Sequence, residues 1–503
     1  MKKLPAYILT LGLFNAVLGF EPIVLTAKDF VCATGNPTLQ MWRRDGAVVP
    51  VWSLSGGQVG QSITATTPAL PADCQGVKIE ALVLNEETTA NDTFTDVFRV
   101  DVAELATGTP VTATQGKPVL HRLAPAPWTP RNLTLESFRV VRGGAPLALT
   151  LHREPDDRGD TYPRPAGLVQ VRLTPLSAAT HAAIVENRPG YNSWPMIQSL
   201  GDKLICTYSR GSGHSIDEGA RHAYARTSTD GGKTWHDEVP LATDPSVGEV
   251  MIGKGLDRTG AALFWVRCLG KPRSHHDLYR TTDGLAFEKI AEPRLDPFPM
   301  QITDIFPVPQ GLMALWFATN YRPEGPHAWG TLTSTDNGRT WQQRTVETVA
   351  TRGELPTEPS IVNLGGGRLL GLARTEDGGD ALASQFQLTS CDNGATWTKT
   401  RTNIRDVLIS SPSLIYDAAT GRVVTYYYER GRHIIKRRTA DAAFIFDHPF
   451  DWPDAEGLMI GDEERPHDAG NVNAVATANH THALAYYSGS ATNTTVYVHT
   501  VRP

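Results

Sequence analysis

A short motif recurs along this 503-residue chain at a nearly constant interval. Segments 228–235, 334–341 and 390–397 share the pattern S-x-D-x-G-x-x-W, and segment 281–287 is a degraded copy. The motif aspartates follow one another at steps of 53, 53 and 56 residues. A constant period of about this length, filled with short apolar runs, is typical of the blades of a β-propeller.

The chemistry of tight turns explains the motif. An aspartate carboxylate accepts backbone N–H groups inside a hairpin loop, glycine supplies a positive φ, and tryptophan packs between neighbouring sheets. Because four copies stand in register, we assign these residues to the scaffold and not to metal binding or catalysis. The structural residues of the motif are Asp230, Trp235, Asp283, Asp336, Trp341, Asp392 and Trp397.

Six pairs of apolar runs, from WPMIQSL-GD-KLICTYS to VNAVATANHTHALAYYS, divide the second part of the chain into six periods. We therefore predict an all-β protein whose residues 181–503 form a six-bladed β-propeller. The strand TVYVHTV lies almost at the end of the sequence. We expect the ring to close by pairing with a strand just before Asn187, such as HAAIVE.

Residues 21–180 contain short alternating strands broken by proline and glycine, which predicts one or two small β-sandwich-like modules. Residues 1–20 combine two lysines, an apolar run and a small residue at Gly19, as secretory signals do. Pro5 and Asn15 interrupt the apolar run. A cleaved signal peptide and an uncleaved N-terminal strand therefore both remain open.

Charge and cysteine content restrict the partners of the chain. The 47 Lys and Arg residues against 53 Asp and Glu residues give a net charge of −6, which argues against general nucleic-acid binding. None of the five cysteines forms a C-x2-C pair, so neither a disulfide framework nor a zinc cluster is predicted. His275 and His276 also lack partners at ligand spacing. We expect no cofactor and no metal site.

One predicted hairpin places two opposite charges at its open end. In TEPSIVNLGGGRLLGLARTE the turn centres on Gly366, so Glu358 and Arg374 are expected to face each other. A carboxylate beside a guanidinium suits an ion pair that holds a strand edge, or an acid/base next to an anion clamp. Geometry alone favours the structural ion pair.

The repeated motif, the six periods and this E-(x15)-R hairpin together resemble the sialidase superfamily over residues from about 185 to 503. The resemblance implies that Glu358 is catalytic and that Arg374 clamps the carboxylate of sialic acid. Three features depart from the family. Ser193 stands where a first clamp arginine is expected, Ser411 stands near the place of the tyrosine nucleophile, and ALASQFQL lacks the third clamp arginine.

A second branch does without those groups. The motifs YNSWP and YSRGSGHS are similar to the propeller of bacteriophage endosialidases, the tailspike enzymes that cut polysialic acid. This similarity implies that Tyr191, Trp194 and His214 line the saccharide site beside the Glu and Arg pair. The sequence shows no recognisable copy of that family's trimerising C-terminal stalk, so a homotrimer is left as an alternative.

The chemistry agrees with the second branch. Without a tyrosine nucleophile, the single carboxylate of Glu358 can activate water or protonate the leaving oxygen, and the expected outcome is inversion. Asp217 lies near where sialidases place an acid/base aspartate and is the second catalytic candidate. Arg210, Arg430 and Arg432 are further substrate-binding candidates. The basic stretch RGRHIIKRR either follows an anionic glycan or forms a solvated outer face.

We therefore predict an extracellular sialidase-like glycoside hydrolase of a phage tail or virion, acting on sialic-acid-containing or other acidic surface polysaccharide. The N-terminal module would then contact other tail or virion proteins. One alternative is a catalytically degenerate glycan-binding or receptor-binding protein, which the three departures favour. Another is a bacterial exo-sialidase exported by a signal peptide.

Overall fold

The computed structural model describes most of the chain beyond residue 20, and residues 1–20, the predicted signal or strand, lie outside the described part. The chain divides into two compact units, residues 1–179 and 180–503. The described ranges are 21–44, 47–55, 61–72, 74–85, 96–108, 121–123, 131–140, 143–154, 165–177, 183–214, 221–270, 273–319, 327–375, 384–405, 410–429, 434–458, 468–478 and 480–502.

The first unit is built from antiparallel strands. Their bounds are β1 (Ile23–Thr26), β2 (Phe30–Thr34), β3 (Thr38–Arg44), β4 (Ala47–Ser55), β5 (Gln61–Thr66), β6 (Cys74–Asn85), β7 (Asp96–Glu104), β8 (His121–Leu123), β9 (Arg131–Val140), β10 (Leu147–Glu154) and β11 (Pro165–Ser177), with one 3-10 turn at Ala27–Asp29. One sheet has the order β3-β4-β11-β6-β9, with β1 on β11, and the other has the order β2-β5-β10-β7-β8.

Alternating apolar residues join these two sheets into one core. Ile79 and Val83 of β6 are buried in the same cluster as Val100 of β7 and Leu149 of β10. Side chains two residues apart on a strand share a face, so this spacing turns one face of each sheet inward. The first unit is thus a two-sheet β-sandwich around a single core.

The regular elements described in the second unit are also almost all strands. Its bounds are β12 (Ala183–Glu186), β13 (Tyr191–Leu200), β14 (Lys203–Gly211), β15 (His222–Ser228), β16 (Val239–Ala242), β17 (Val247–Leu256), β18 (Ala262–Gly270), β19 (His275–Thr281), β20 (Glu288–Ala291), β21 (Gln301–Ile302), β22 (Phe306–Val308), β23 (Gly311–Ala318), β24 (Ala328–Ser334), β25 (Gln342–Thr348), β26 (Thr357–Gly365), β27 (Arg368–Arg374), β28 (Phe386–Ser390), β29 (Thr398–Arg401), β30 (Ser413–Asp417), β31 (Arg422–Glu429), β32 (Ile434–Asp441), β33 (Glu456–Leu458), β34 (Asp468–Ala476), β35 (His482–Gly489) and β36 (Thr494–Val501). Helix α1 (Ala442–Asp447) and a 3-10 turn at Arg352–Glu354 complete it.

These strands form five sheets that follow one another along the chain. Sheet 1 has the order β16-β15-β14-β13-β36-β35-β34, with β12 on β36, and so contains both ends of the unit. Sheet 2 is β17-β18-β19-β20, sheet 3 joins β21 and β22 through β23 to β24 and β25, sheet 4 is β26-β27-β28-β29, and sheet 5 is β30-β31-β32-β33. The predicted all-β class is confirmed, and the strand within HAAIVE pairs with the last strand as expected.

The repeated motif closes the turn after the third strand of its sheet. Asp392 accepts the backbone N–H of Thr396 at 2.8 Å and its hydroxyl at 2.6 Å, and it accepts the hydroxyl of Ser390 at 2.8 Å. These hydrogen bonds, led by that of the Thr396 side chain, lower the pKa of Asp392 to about 2. The carboxylate therefore organises a turn, and its hydrogen bonds stabilise that turn and do not serve a ligand.

The same motif also ties each sheet to the one before it. The indole of Trp341 in sheet 3 lies 5.4 Å from that of Trp265 in sheet 2, and Trp397 of sheet 4 lies 6.1 Å from Trp329 of sheet 3. Gly284 packs so tightly against the preceding sheet that an added Cβ would lie 2.6 Å from a threonine oxygen. The motif residues thus close turns and fill the contacts between sheets.

Helix is scarce in the part of the chain that the structure describes. None of its helices is long and apolar enough to cross a bilayer.

Candidate functional site

The first strands of four sheet segments share a backbone irregularity near their start. The register of β13, β17, β26 and β34 shifts against the next strand at this point. In three of them a non-glycine residue has a positive φ, namely Trp194 at 49°, Glu358 at 46° and Asn471 at 52°. Such φ values are uncommon for these residue types and concentrate at functional sites.

A pocket opens beside these irregular positions. Its polar groups are two carboxylates, three amides and three hydroxyls, and its walls come from sheets 1 to 5. The lining residues are Pro195, Met196, Ile252, Gly253, Gln301, Thr303, Asp304, Glu358, Pro359, Ser360, Ser411, Pro412, Asn471, Val472 and Asn473. Acids, amides and hydroxyls on one concave surface match the hydrogen-bonding groups of a sugar.

Glu358 lines this pocket and pairs with Arg374, as the hairpin arithmetic predicted. Arg374 Nη1 donates to Glu358 Oε1 at 2.8 Å, and the two side chains are 11% and 15% exposed. Ser411 Oγ donates to the other carboxylate oxygen and lies 3.1 Å from the Asn471 amide. Glu358 is therefore oriented from two sides, while part of its carboxylate stays open to the pocket.

A second carboxylate in the same pocket has no counterpart in the sequence prediction. Asp304 Oδ2 accepts the Ser360 hydroxyl at 2.6 Å and the backbone N–H of Ile361 at 3.2 Å. The ammonium of Lys254, which is 7% exposed, donates to the carbonyl of Ala474 at 2.8 Å. Burial lowers the pKa of Lys254, whereas the charge of Asp304 opposes that change.

The three residues predicted to line a saccharide site form one aromatic group. The Tyr191 hydroxyl lies 2.7 Å from His214 Nδ1, and the Trp194 ring lies 6.0 Å from Tyr191 and 5.5 Å from His214. Tyr191 is fully buried, Trp194 is half-buried and His214 is exposed. The surface thus presents Trp194 and His214, and Tyr191 supports them from below.

Arg221, which the sequence analysis missed, completes this aromatic group. Its guanidinium lies 4.6 Å from the Trp194 ring, donates to Ser193 Oγ at 3.2 Å and donates to the carbonyl of Gly213. Burial lowers its pKa to about 10, so it remains charged at neutral pH. Nothing in the sequence signals this role, because Arg221 lies just before β15 and Trp194 lies on β13. Only the folded structure brings the two together.

The aromatic group and the Glu358 pocket meet through strand β13. Pro195 and Met196, which follow Trp194 directly, line the pocket that contains Glu358. The backbone N–H of Ile197 donates to the pocket amide of Asn473 at 2.8 Å. The structure therefore brings two of the predicted groups to one continuous surface.

Arg210 is not brought to this surface. Its guanidinium binds Glu238 at 2.5 Å and Glu186 at 2.8 Å, and its Nε donates to Asn192 at 2.9 Å. It also stacks over Tyr224 at 4.6 Å. These contacts use Arg210 inside sheet 1, where it neutralises buried carboxylates. Several arginines share the same acids, and attraction to them holds the pKa of Glu186 well below its usual range against the opposing effect of burial.

The remaining candidates divide into two sets. Asp217, Arg430 and Arg432 lie outside the described residues. Neither interpretation of the basic stretch as an accessible stripe or a solvated face holds for Lys436 and Arg438, which are 3% and 7% exposed. Alternation along β32 turns both side chains towards the interior. Arg437, on the opposite face, binds Glu456 at 2.7 Å.

Comparisons with known proteins show similarity in fold. No protein-family model and no curated protein matches the chain. A protein of unknown function from Dyadobacter fermentans matches with a TM-score of 0.53 and 16% identity, covering 64% of this chain and 99% of that chain. The NanB sialidase of Streptococcus pneumoniae matches with a TM-score of 0.52 and 12% identity, covering 86% and 95%. A leech intramolecular trans-sialidase matches with a TM-score of 0.50 and 10% identity, covering 86% and 94%.

Structural similarity at identities this low shows a shared fold and does not establish a shared activity. The resemblance to the sialidase superfamily is therefore confirmed for the fold. The finer resemblance to bacteriophage endosialidases remains a prediction.

Proposed function

We propose that the second unit is a glycoside hydrolase whose reaction centres on Glu358. The observation that carries this proposal is the carboxylate itself, held on a positive-φ backbone between Arg374 and Ser411 at a pocket of sugar-compatible groups. A structural ion pair needs neither the strained backbone nor the surrounding amides. The similarity in fold to sialidases adds support.

We further propose that the five sheets represent six blades of a ring, with sheet 1 contributing the first and the last blade. The contacts between first strands support this arrangement. Strand β13 contacts β17, β17 contacts β21 and β22, β22 contacts β26, β26 contacts β30, β30 contacts β34, and β34 contacts β13. Each sheet would then bring its first strand to a shared centre, which is where the pocket lies.

The proposed chemistry requires two proton transfers. Glu358 accepts a proton from water as the water oxygen bonds to the anomeric carbon, the glycosidic C–O bond breaks, and an acid protonates the leaving oxygen. Asp217 remains the sequence candidate for that acid. The residue beside Glu358 is Ser411, where sialidases carry a tyrosine nucleophile. Direct attack by water, with inversion, therefore fits better than a covalent intermediate on a tyrosine.

The substrate proposal follows the resemblance. A sialic-acid-containing or other acidic polysaccharide would place a carboxylate near Arg374 and its sugar rings against Trp194 and His214. Extracellular action from a phage tail or virion, contact with other virion proteins through the first unit, and a homotrimer are proposals that rest on the sequence resemblance.

The test is Glu358→Gln, which keeps size and removes the base. We expect release of reducing ends from polysialic acid to fall by about 10² to 10⁴, the range typical of a lost general base. The matched control is Glu354→Gln, since Glu354 is 55% exposed and pairs with Arg401 at 3.3 Å away from the pocket. Full activity of the Glu358 variant would refute the proposal.

A second candidate is a glycan-binding protein without turnover. Ser193 and Ser411 stand where sialidases carry a clamp arginine and a nucleophile, and this observation favours it. A glycan array measured alongside the activity assay separates the two candidates. Glycan binding by both wild type and Glu358→Gln, with no turnover by either, supports the glycan-binding protein. An exported exo-sialidase would instead release single terminal sugars.

A further inference from the structure

Three potential metal ligands converge in sheet 2, and none of them lines the pocket of Glu358. Cys268 of β18 pairs directly with His275 of β19, so their side chains share a face of the sheet. Asp277 lies two residues after His275 and projects from the same face. One donor atom of each residue lies within 4.8 Å of the donor atoms of the other two.

The separations are close to those around a bound zinc ion. Cys268 Sγ lies 3.8 Å from Asp277 Oδ2, and His275 Nε2 lies 3.7 Å from Asp277 Oδ1. Bond lengths of 2.0 to 2.3 Å in a tetrahedron give ligand separations of about 3.4 to 3.6 Å. The two contacts use different oxygens of Asp277, and the three donor atoms lie within 4.8 Å of one another, so the side chains would move together by up to about 1 Å to complete this geometry.

The charges around the three donors also suit a cation. Asp277 is 4% exposed, and Glu249, opposite Cys268 in the register of β17 and β18, is 2% exposed. Lys289 Nζ lies 2.9 Å from Asp277 Oδ1 and equally 2.9 Å from Glu292 Oε2. Because Lys289 is 41% exposed, it can keep Glu292 and leave Asp277 to an incoming ion.

We propose that Cys268, His275 and Asp277 bind a divalent cation of borderline softness, with zinc as the best match. Thiolate, imidazole and carboxylate are the ligand types that zinc prefers, and three protein ligands leave the fourth tetrahedral position to water. Binding converts the Cys268 thiol to a thiolate and releases its proton to solvent. No metal site was expected here from the sequence, because only strand pairing brings Cys268 beside His275.

The experiment uses the full chain, stripped with a chelator and titrated with zinc alone by calorimetry. We expect one site per chain, weakened at least about tenfold by His275→Gln and by Cys268→Ala. Lys289→Gln should tighten binding, because the competing ammonium is gone. Cobalt should give a thiolate charge-transfer absorption that Cys268→Ala abolishes.

One further variant and the choice of His275→Gln protect the interpretation. Cys206→Ala removes another fully buried cysteine, which lies outside the cluster, and should leave zinc binding unchanged. His275→Gln alters a partly exposed residue, so it serves if Cys268→Ala does not fold. Absence of zinc binding by the stripped wild-type chain, or equal binding by wild type and His275→Gln, overturns the proposal. Neither result bears on glycan hydrolysis.

Discussion

The ion pair between Glu358 and Arg374 allows a thermodynamic test of whether it serves stability or function. The changes are Glu358→Gln, Arg374→Met and the two combined. Exposed ion pairs contribute about 0.2 to 1 kcal/mol, whereas removing one partner of a buried pair costs about 3 to 5 kcal/mol. With exposures of 15% and 11%, we expect each single change to cost about 2 kcal/mol of unfolding free energy.

The double variant should not lose the sum of the two effects. Removing both charges leaves neither group buried without its partner, so its loss should stay near about 2 kcal/mol, which implies a coupling energy of about 2 kcal/mol. In a unit as large as residues 180–503, each single change then lowers Tm by about 3 °C.

Thermal unfolding and glycan hydrolysis are measured on the same four proteins. If the pair belongs to an active site, the double variant matches the stability of the singles and remains inactive. Strictly additive stability losses would refute the pairing inferred from the 2.8 Å contact. Recovery of activity in the double variant would show that the pair is only structural.

Three other measurements test the scaffold and the surface. Asp392→Asn should lower Tm at pH 7 and flatten the loss of stability on acidification, because the Asp392 pKa of about 2 makes its contribution complete above pH 4 and lost towards pH 2. Gly284→Ala should destabilise by about 2 to 4 kcal/mol in urea unfolding, because its φ of 78° and its crowded site both oppose a Cβ, whereas Gly366→Ala, with a φ of 61° but open space around its Cβ, should cost about 1 to 2 kcal/mol. Trp194→Ala should weaken glycan binding at least about tenfold in a fluorescence titration. Unchanged affinity would show that Trp194 is not part of the glycan-binding surface.

The scaffold was predictable because its signals are local and repeated. The hydrogen bonds around Asp392 join residues at most four positions apart, so all the residues that form the turn lie within the motif. The contact of Glu358 with Arg374 was predictable for a similar reason, since one hairpin turn brings Arg374 opposite Thr357, and the register shift that follows leaves Glu358 2.8 Å from Arg374.

The rest of the site was harder to predict from the sequence, because residues from different sheets meet there. Asp304 reaches the pocket of Glu358 from the segment between β21 and β22, Asn471 reaches it from β34, and no motif marks either residue. Arg210 looked like a substrate ligand, yet it binds Glu186 and Glu238 instead. A charged residue that lies near a site in sequence can instead form an ion pair with a buried partner, and only the packing of the chain reveals that partner.

The sequence by itself determined the all-β class, the repeated turns, the pairing of the strand in HAAIVE with the last strand and one charged hairpin, because each depends on residues near one another or on a period. The tertiary structure decided which side chains share a surface. It placed Arg221 over Trp194, Asp304 in the pocket of Glu358, and Cys268 beside His275 and Asp277. Such meetings depend on strand register and sheet packing, in which a shift of one residue turns a side chain to the other face.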